Sequence, residues 1–104
     1  MKLLFRNNNF EMTAPVASDI AATSATVTGS LTDYKGLMTE WGFEYKKHSV
    51  TSWTTKKVTG TTLTASLTGL TAETKYDVRV YGKIGTAVQY GPEASFTTEA
   101  AAAE

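Results

Sequence analysis

The chain has 104 residues, ten basic and ten acidic side chains, one histidine and no cysteine. That length suits one domain with a modest core, and a formal charge of zero argues against a nucleic-acid binder, which carries a basic surplus to meet phosphates. No run approaches the roughly 18 apolar residues of a membrane span, and a chain without cysteine forms no disulfide, zinc–thiolate site or thiol nucleophile.

From the N-terminus, Met1 to Met12 reads MKLLFRNNNFEM. A secretory signal needs about 7–15 apolar residues, and Leu3-Leu4-Phe5 stops at Arg6. Asn7-Asn8-Asn9 competes with regular backbone hydrogen bonding, so residues 1–13 are expected to be a flexible linker cut from a longer chain, or an artificial start. From there the alternation has period two, the signature of strands with one wet and one dry face. Nineteen Thr, seven Val and two Ile fit that reading, because β-branched side chains suit a pleated surface. Strands are predicted near 15–17, over 25–31 and over 40–46, where Trp41, Phe43 and Tyr45 share one face. Others follow over 53–58, 62–67, 76–81 and 94–98. Turn signals separate them at Asp33-Tyr34-Lys35-Gly36, Thr59-Gly60, Thr68-Gly69, Ile84-Gly85-Thr86 and Gly91-Pro92. The closing EAAAAE is too short for an isolated helix, and residues 99–104 are expected to be a disordered tail. The result is an all-β body over 14–98, an antiparallel sandwich of about seven strands.

Three stretches of that body resemble the fibronectin type III domain. They are the run from Leu67-Thr68-Gly69-Leu70 through Thr74-Lys75-Tyr76-Asp77-Val78-Arg79-Val80, the Gly42-Phe43-Glu44-Tyr45-Lys46 segment followed by Trp53, and Tyr90-Gly91-Pro92-Glu93 through Phe96-Thr97-Thr98. The resemblance spans residues 14–98 and implies an immunoglobulin-like, seven-stranded Greek-key β-sandwich. It also implies a tyrosine corner, with the Tyr76 hydroxyl bonded to backbone in the turn that Leu70 plugs. The Gly-Phe-x-Tyr variant and the Tyr-Gly ending are similar to modules of secreted bacterial surface proteins. One departure stands out: the tryptophan usual on the family's second strand is replaced by Gly29, and Trp41 is expected to fill the space.

Chemistry finds little purchase. Glu40 and Glu44 share a strand face but lie roughly 13 Å apart, beyond the about 5–9.5 Å of a glycosidase pair; Arg79 or Lys83 is expected to pair with them across strands. His48 is the one histidine and is expected in a solvated hairpin, so no two-histidine metal site forms. No serine sits in Gly-x-Ser-x-Gly, and the glycines form no phosphate loop or dinucleotide pattern. The chain is therefore read as no enzyme, with no catalytic residue, no metal and no cofactor. Lys46, Lys47, Lys56 and Lys57 either cluster as a basic patch or serve as a solubilising edge.

Trp41, Phe43, Tyr45, Tyr76 and Phe96 take core positions by parity. The ligand-binding candidates are Tyr34, Trp53, Tyr81 and Tyr90, since tyrosine brings large contact area at little entropic cost; Tyr81 alternatively covers Gly42 on the neighbouring strand. The loop from Gly82 to Tyr90 carries no Arg-Gly-Asp. The expected function is a non-catalytic module of a larger secreted or cell-surface protein, a spacer or protein-contact unit. The alternative is a carbohydrate-binding accessory module. The expected partners are neighbouring domains of a longer chain, another protein or a polysaccharide, with no nucleic acid, and the module is expected to be a monomer.

Overall fold

A computed structural model describes residues 4–6, 10–60 and 62–101. The described residues form ten strands and no helix: β1 (Leu4–Arg6), β2 (Phe10–Thr13), β3 (Val16–Ser18), β4 (Ala25–Thr28), β5 (Leu31–Asp33), β6 (Glu40–Lys47), β7 (Thr54–Val58), β8 (Thr64–Leu67), β9 (Lys75–Ile84) and β10 (Ala87–Thr97). One sheet runs β10-β9-β6-β7; facing strands assemble as β3-β4-β8 and β1-β2-β5, and every pairing is antiparallel.

The count exceeds the expected seven because one predicted strand is split and because β1 and β2 arise within residues 1–13. The stretch predicted as one strand over 25–31 is interrupted at Gly29-Ser30, leaving β4 and β5. Opposite it, β2 and β3 are separated by Ala14-Pro15, where proline offers no N–H to a ladder. The Thr13 side chain repairs the break: its Oγ1 accepts the Ser30 N–H at 3.0 Å while the Thr13 N–H donates to the Ser30 carbonyl at 3.0 Å.

Two terminal expectations change. Residues 1–13 were expected to be a flexible linker, but β2 lies within them, and Phe10 and Met12 are 2% and 0% exposed. Phe10-Glu11-Met12 alternates apolar and charged residues, a strand signal the asparagine run obscured. At the other end Glu99 is fixed, its N–H donating to the Ala21 carbonyl and its carbonyl accepting from Glu73, both at 3.1 Å. Ala100 and Ala101 are exposed coil, and residues 102–104 of the expected tail lie outside the described residues.

Between the sheets lie Val27, Phe43, Leu63, Leu67, Tyr76, Val78, Val80 and Phe96, with Tyr76 and Phe96 stacked at 5.7 Å. Trp41 and Tyr45 pack against this core only partly buried. Trp41 does not occupy the space above Gly29. A methyl built there meets Val80, Leu63 and Phe43, while the Trp41 indole turns outward and donates from Nε1 to the Gly60 carbonyl at 3.0 Å. Nor is Gly91-Pro92 a turn. β10 runs through it with one extra residue relative to β9, a bulge between Tyr90 and Glu93 that accommodates the missing proline N–H. The bare Gly91 and Gly82 then admit Met12 and Met38, whose side chains would collide with any Cβ at those positions.

The tyrosine corner is present. Tyr76 Oη accepts the Thr71 N–H at 2.8 Å, beside the buried Leu70, and Gly69 turns the chain with φ 69°. Thr98 forms a second clasp that the sequence reading missed: its hydroxyl donates to the Thr71 carbonyl at 2.6 Å and accepts the Thr74 N–H at 2.9 Å. Tyr76→Phe leaves the Thr71 N–H without its acceptor and is expected to cost about 1–3 kcal/mol. An unchanged urea midpoint would remove the hydroxyl from the account of stability.

Candidate functional site

Alternation along β6 and β9 sends Glu40, Glu44, Lys46, Asp77, Arg79, Tyr81 and Lys83 to the outer face of the four-stranded sheet. The β6–β9 register sets Glu40 opposite Lys83, Glu44 opposite Arg79 and Lys46 opposite Asp77, so opposite charges meet directly across strands. Arg79 donates from Nε and Nη2 to Glu44 Oε1 at 3.1 and 2.8 Å. Lys46 reaches Asp77 at 3.1 Å, and Lys83 stands 3.7 Å from Glu40. The expected cross-strand partners of the two glutamates are thus in place.

Arg79 is the centre of this face. Its guanidinium carbon lies 4.0 Å from the Trp53 ring centre and 3.7 Å from that of Tyr90. Tyr90 comes from β10 on one side of β9, and Trp53 enters from the start of β7 beyond β6, so the cation is held between two rings while Glu44 holds its edge. Cation–π contact of this kind is strengthened when the cation is partly withdrawn from water, as here, where the side chain is 17% exposed. Lys46 adds a longer contact to Trp53 at 5.1 Å.

The four candidate ligand residues separate accordingly. Trp53 and Tyr90 are brought together, with Tyr90 40% exposed. Tyr81 stands opposite Gly42 and Tyr90 on the adjoining strands but is 1% exposed, and its hydroxyl donates to Glu40 at 2.6 Å. It is therefore a packed residue of this face rather than an offered surface. Burial, then the Glu40 carboxylate, pushes its phenol well above the ordinary value. Tyr34 lies elsewhere, in the turn after β5, exposed, its hydroxyl donating to Glu11 at 2.7 Å. The four lysines of the β6–β7 hairpin do not form one patch either: Lys46 is spent on Asp77, and Lys56 and Lys57 alternate to opposite faces opposite Phe43 and Gly42.

His48 has the expected solvent exposure, its side chain 60% exposed, and it also makes polar contacts. Its Nδ1 lies 3.0 Å from Asp77 Oδ1, and its N–H donates to the Lys75 carbonyl at 2.8 Å. Burial alone would raise the Asp77 carboxyl, but hydrogen bonds from His48 and Lys46, with their charge, outweigh it and hold the carboxyl below its usual 3.8. A carboxyl lowered by folding contributes stability above its unfolded value and loses it as pH falls through the folded one. The denaturation midpoint is therefore expected to drop as pH falls below about 4, and Asp77→Asn should flatten that part of the profile. A slope unchanged by the substitution would show that Asp77 contributes nothing to it.

Among the described residues, no group of three or more His, Cys, Asp or Glu side chains is placed to hold a metal, and no helix is long and apolar enough to cross a membrane.

No protein-family model matches the chain, and no curated protein is similar to it. Solved structures are similar in fold. A computationally redesigned β-sandwich protein superposes with a TM-score of 0.71 at 19% identity, over 100% of this chain and 96% of the other. The fibronectin type III domain derived from the human KIAA0970 protein does so at 0.67 and 19%, over 89% and 76%. The sensor domain of the anti-sigma factor RsgI4 from Pseudobacteroides cellulosolvens gives 0.65 and 24%, over 92% and 100%. The chain has a β-sandwich fold like that of fibronectin type III domains. Fold alone assigns no role, and the residue types on the outer face around Arg79 carry the functional reading.

Proposed function

We propose that this chain is a non-catalytic, fibronectin type III-like module of a larger secreted or cell-surface protein, and that it contacts a protein neighbour through the outer face of β6, β9 and β10. The observation that supports this is Arg79 held between Trp53 and Tyr90. Tryptophan, tyrosine and arginine are the residue types enriched at interface centres. Here the arginine is fixed by Glu44 before any partner arrives, which lowers the ordering cost of association. The likeness to an anti-sigma-factor sensor domain and to a fibronectin type III domain supports a module working within a longer chain.

A sugar platform finds less support. The face that each of Trp53 and Tyr90 turns to Arg79 is closed to a pyranose ring, and Tyr81 is buried.

The test is hydrogen exchange on the isolated domain and on the same domain within the intact parent protein. Added protection over residues 53–58 and 87–93 in the parent is expected, and its loss in an Arg79→Gln, Tyr90→Ala variant. Equal protection in both settings would overturn the contact face. Titration with neutral oligosaccharides should leave the Trp53 indole N–H signal in place; a saturable shift there would move the reading to carbohydrate.

A further inference from the structure

Four cationic residues among the described ones are partly buried: Lys46, Lys47, Arg79 and Lys83. Three of them have carboxylate partners, namely Asp77, Glu44 and Glu40. Lys47 has none, and its position explains why. It is the last residue of β6 and stands opposite Tyr76, on the inward parity, whereas the carboxylates of β6 and β9 all take the outward one. Its side chain lines a cleft of about 260 Å³ at the end of the sandwich, between the β6–β7 hairpin and the turn at Thr68-Gly69. Lys46, bonded to Asp77, and Tyr76, whose hydroxyl accepts from Thr71, also line it; the hydroxyls of Tyr45, Ser52, Thr54 and Thr68 make no hydrogen bond to another described residue, and no acidic side chain lines the cleft. Val50, 41% exposed, adds an apolar wall.

A lysine without a carboxylate partner, beside several hydroxyls that bond no other described residue, is complementary to an anion with several acceptor oxygens. We infer that this cleft binds an oxyanion, a carboxylate or sulfate group carried on a small organic body that rests against Val50. Lys47 supplies the charge, and the Thr68, Ser52 and Thr54 hydroxyls donate to the oxygens. The site borders the proposed contact face at Lys46, which lines the cleft and also reaches Trp53, but it draws its charge from Lys47 and not from Arg79.

The experiment is a titration of nitrogen-15-labelled protein, followed by amide shifts, with sodium glucuronate, N-acetylglycine and sodium sulfate. Sodium chloride at matched ionic strength is the reference. Saturable shifts confined to Thr68, Gly69 and the residues around Lys47 are expected, weakened at least tenfold in Lys47→Gln. Lys47 is partly exposed and unpaired, so that variant should fold. Thr68→Val, on the opposite wall, is expected to weaken the same ligand several-fold. Saturation by glucuronate alone assigns the anion to an acidic sugar, by N-acetylglycine alone to a peptide carboxylate, and by sulfate to a sulfated group. Shifts that match chloride throughout, or that persist unchanged in Lys47→Gln, overturn the site.

Discussion

A chain shortened to begin at Ala14 is expected to lose most or all of its cooperative unfolding transition. The deletion removes β2, and with it two side chains that are 2% and 0% exposed, Phe10 and Met12. Truncating a buried phenylalanine costs about 3–5 kcal/mol and a buried methionine about 2–5 kcal/mol. Their combined loss is comparable to the whole stability of a small domain, about 5–15 kcal/mol. The deletion also uncovers Gly82 and Gly91, against which Met12 packs, and strips β5 of its partner strand. Circular dichroism during a thermal ramp is sufficient to decide it. A shortened chain melting with the full-length midpoint would return the first thirteen residues to the status of a linker.

Gly42→Ala is expected to be the most damaging single-methyl change in the molecule, costing upwards of about 3 kcal/mol. A Cβ at this position runs into the Lys56 carbonyl and crowds the Lys57 and Val58 backbone. Unlike a flexible side-chain end, that backbone cannot swing aside without breaking the β6–β7 ladder. The ladder also carries Trp53 towards Arg79, so the same substitution should shift the Trp53 indole signal. A variant with wild-type stability and an unmoved indole would mean that β7 is loosely attached, contrary to the pairing from Trp41–Val58 to Tyr45–Thr54.

What the sequence made legible follows from which interactions are periodic. β6 and β9 announce themselves because alternation with large aromatics repeats over six or more residues, and the same alternation pairs their facing charges. The tyrosine corner was legible through a spaced motif. By contrast, β2 is four residues long and follows an asparagine run, so its alternation was too brief to outweigh composition. Gly91-Pro92 carries the same letters whether it ends a strand or bulges within one, and only the register with β9 distinguishes the two. Arg79 was assigned a carboxylate partner, but its place between Trp53 and Tyr90 depends on four strands lying side by side, which no local pattern encodes. Proximity in the chain groups Lys47 with its lysine neighbours. Its parity, opposite to that of Lys46, was the available signal that it faces a different environment.

The seam where Met12 and Met38 lie against Gly82 and Gly91 also sets how this protein meets an oxidant. With no cysteine in the chain, the readily oxidised sulfurs are thioethers, and two of the three methionines are enclosed here, 0% and 7% exposed. A sulfoxide oxygen placed on either would be a polar group in a gap already filled to the glycine hydrogens. Peroxide would reach the Met12 sulfur only if the N-terminal strand lifted, and the sulfoxide formed would then oppose its return.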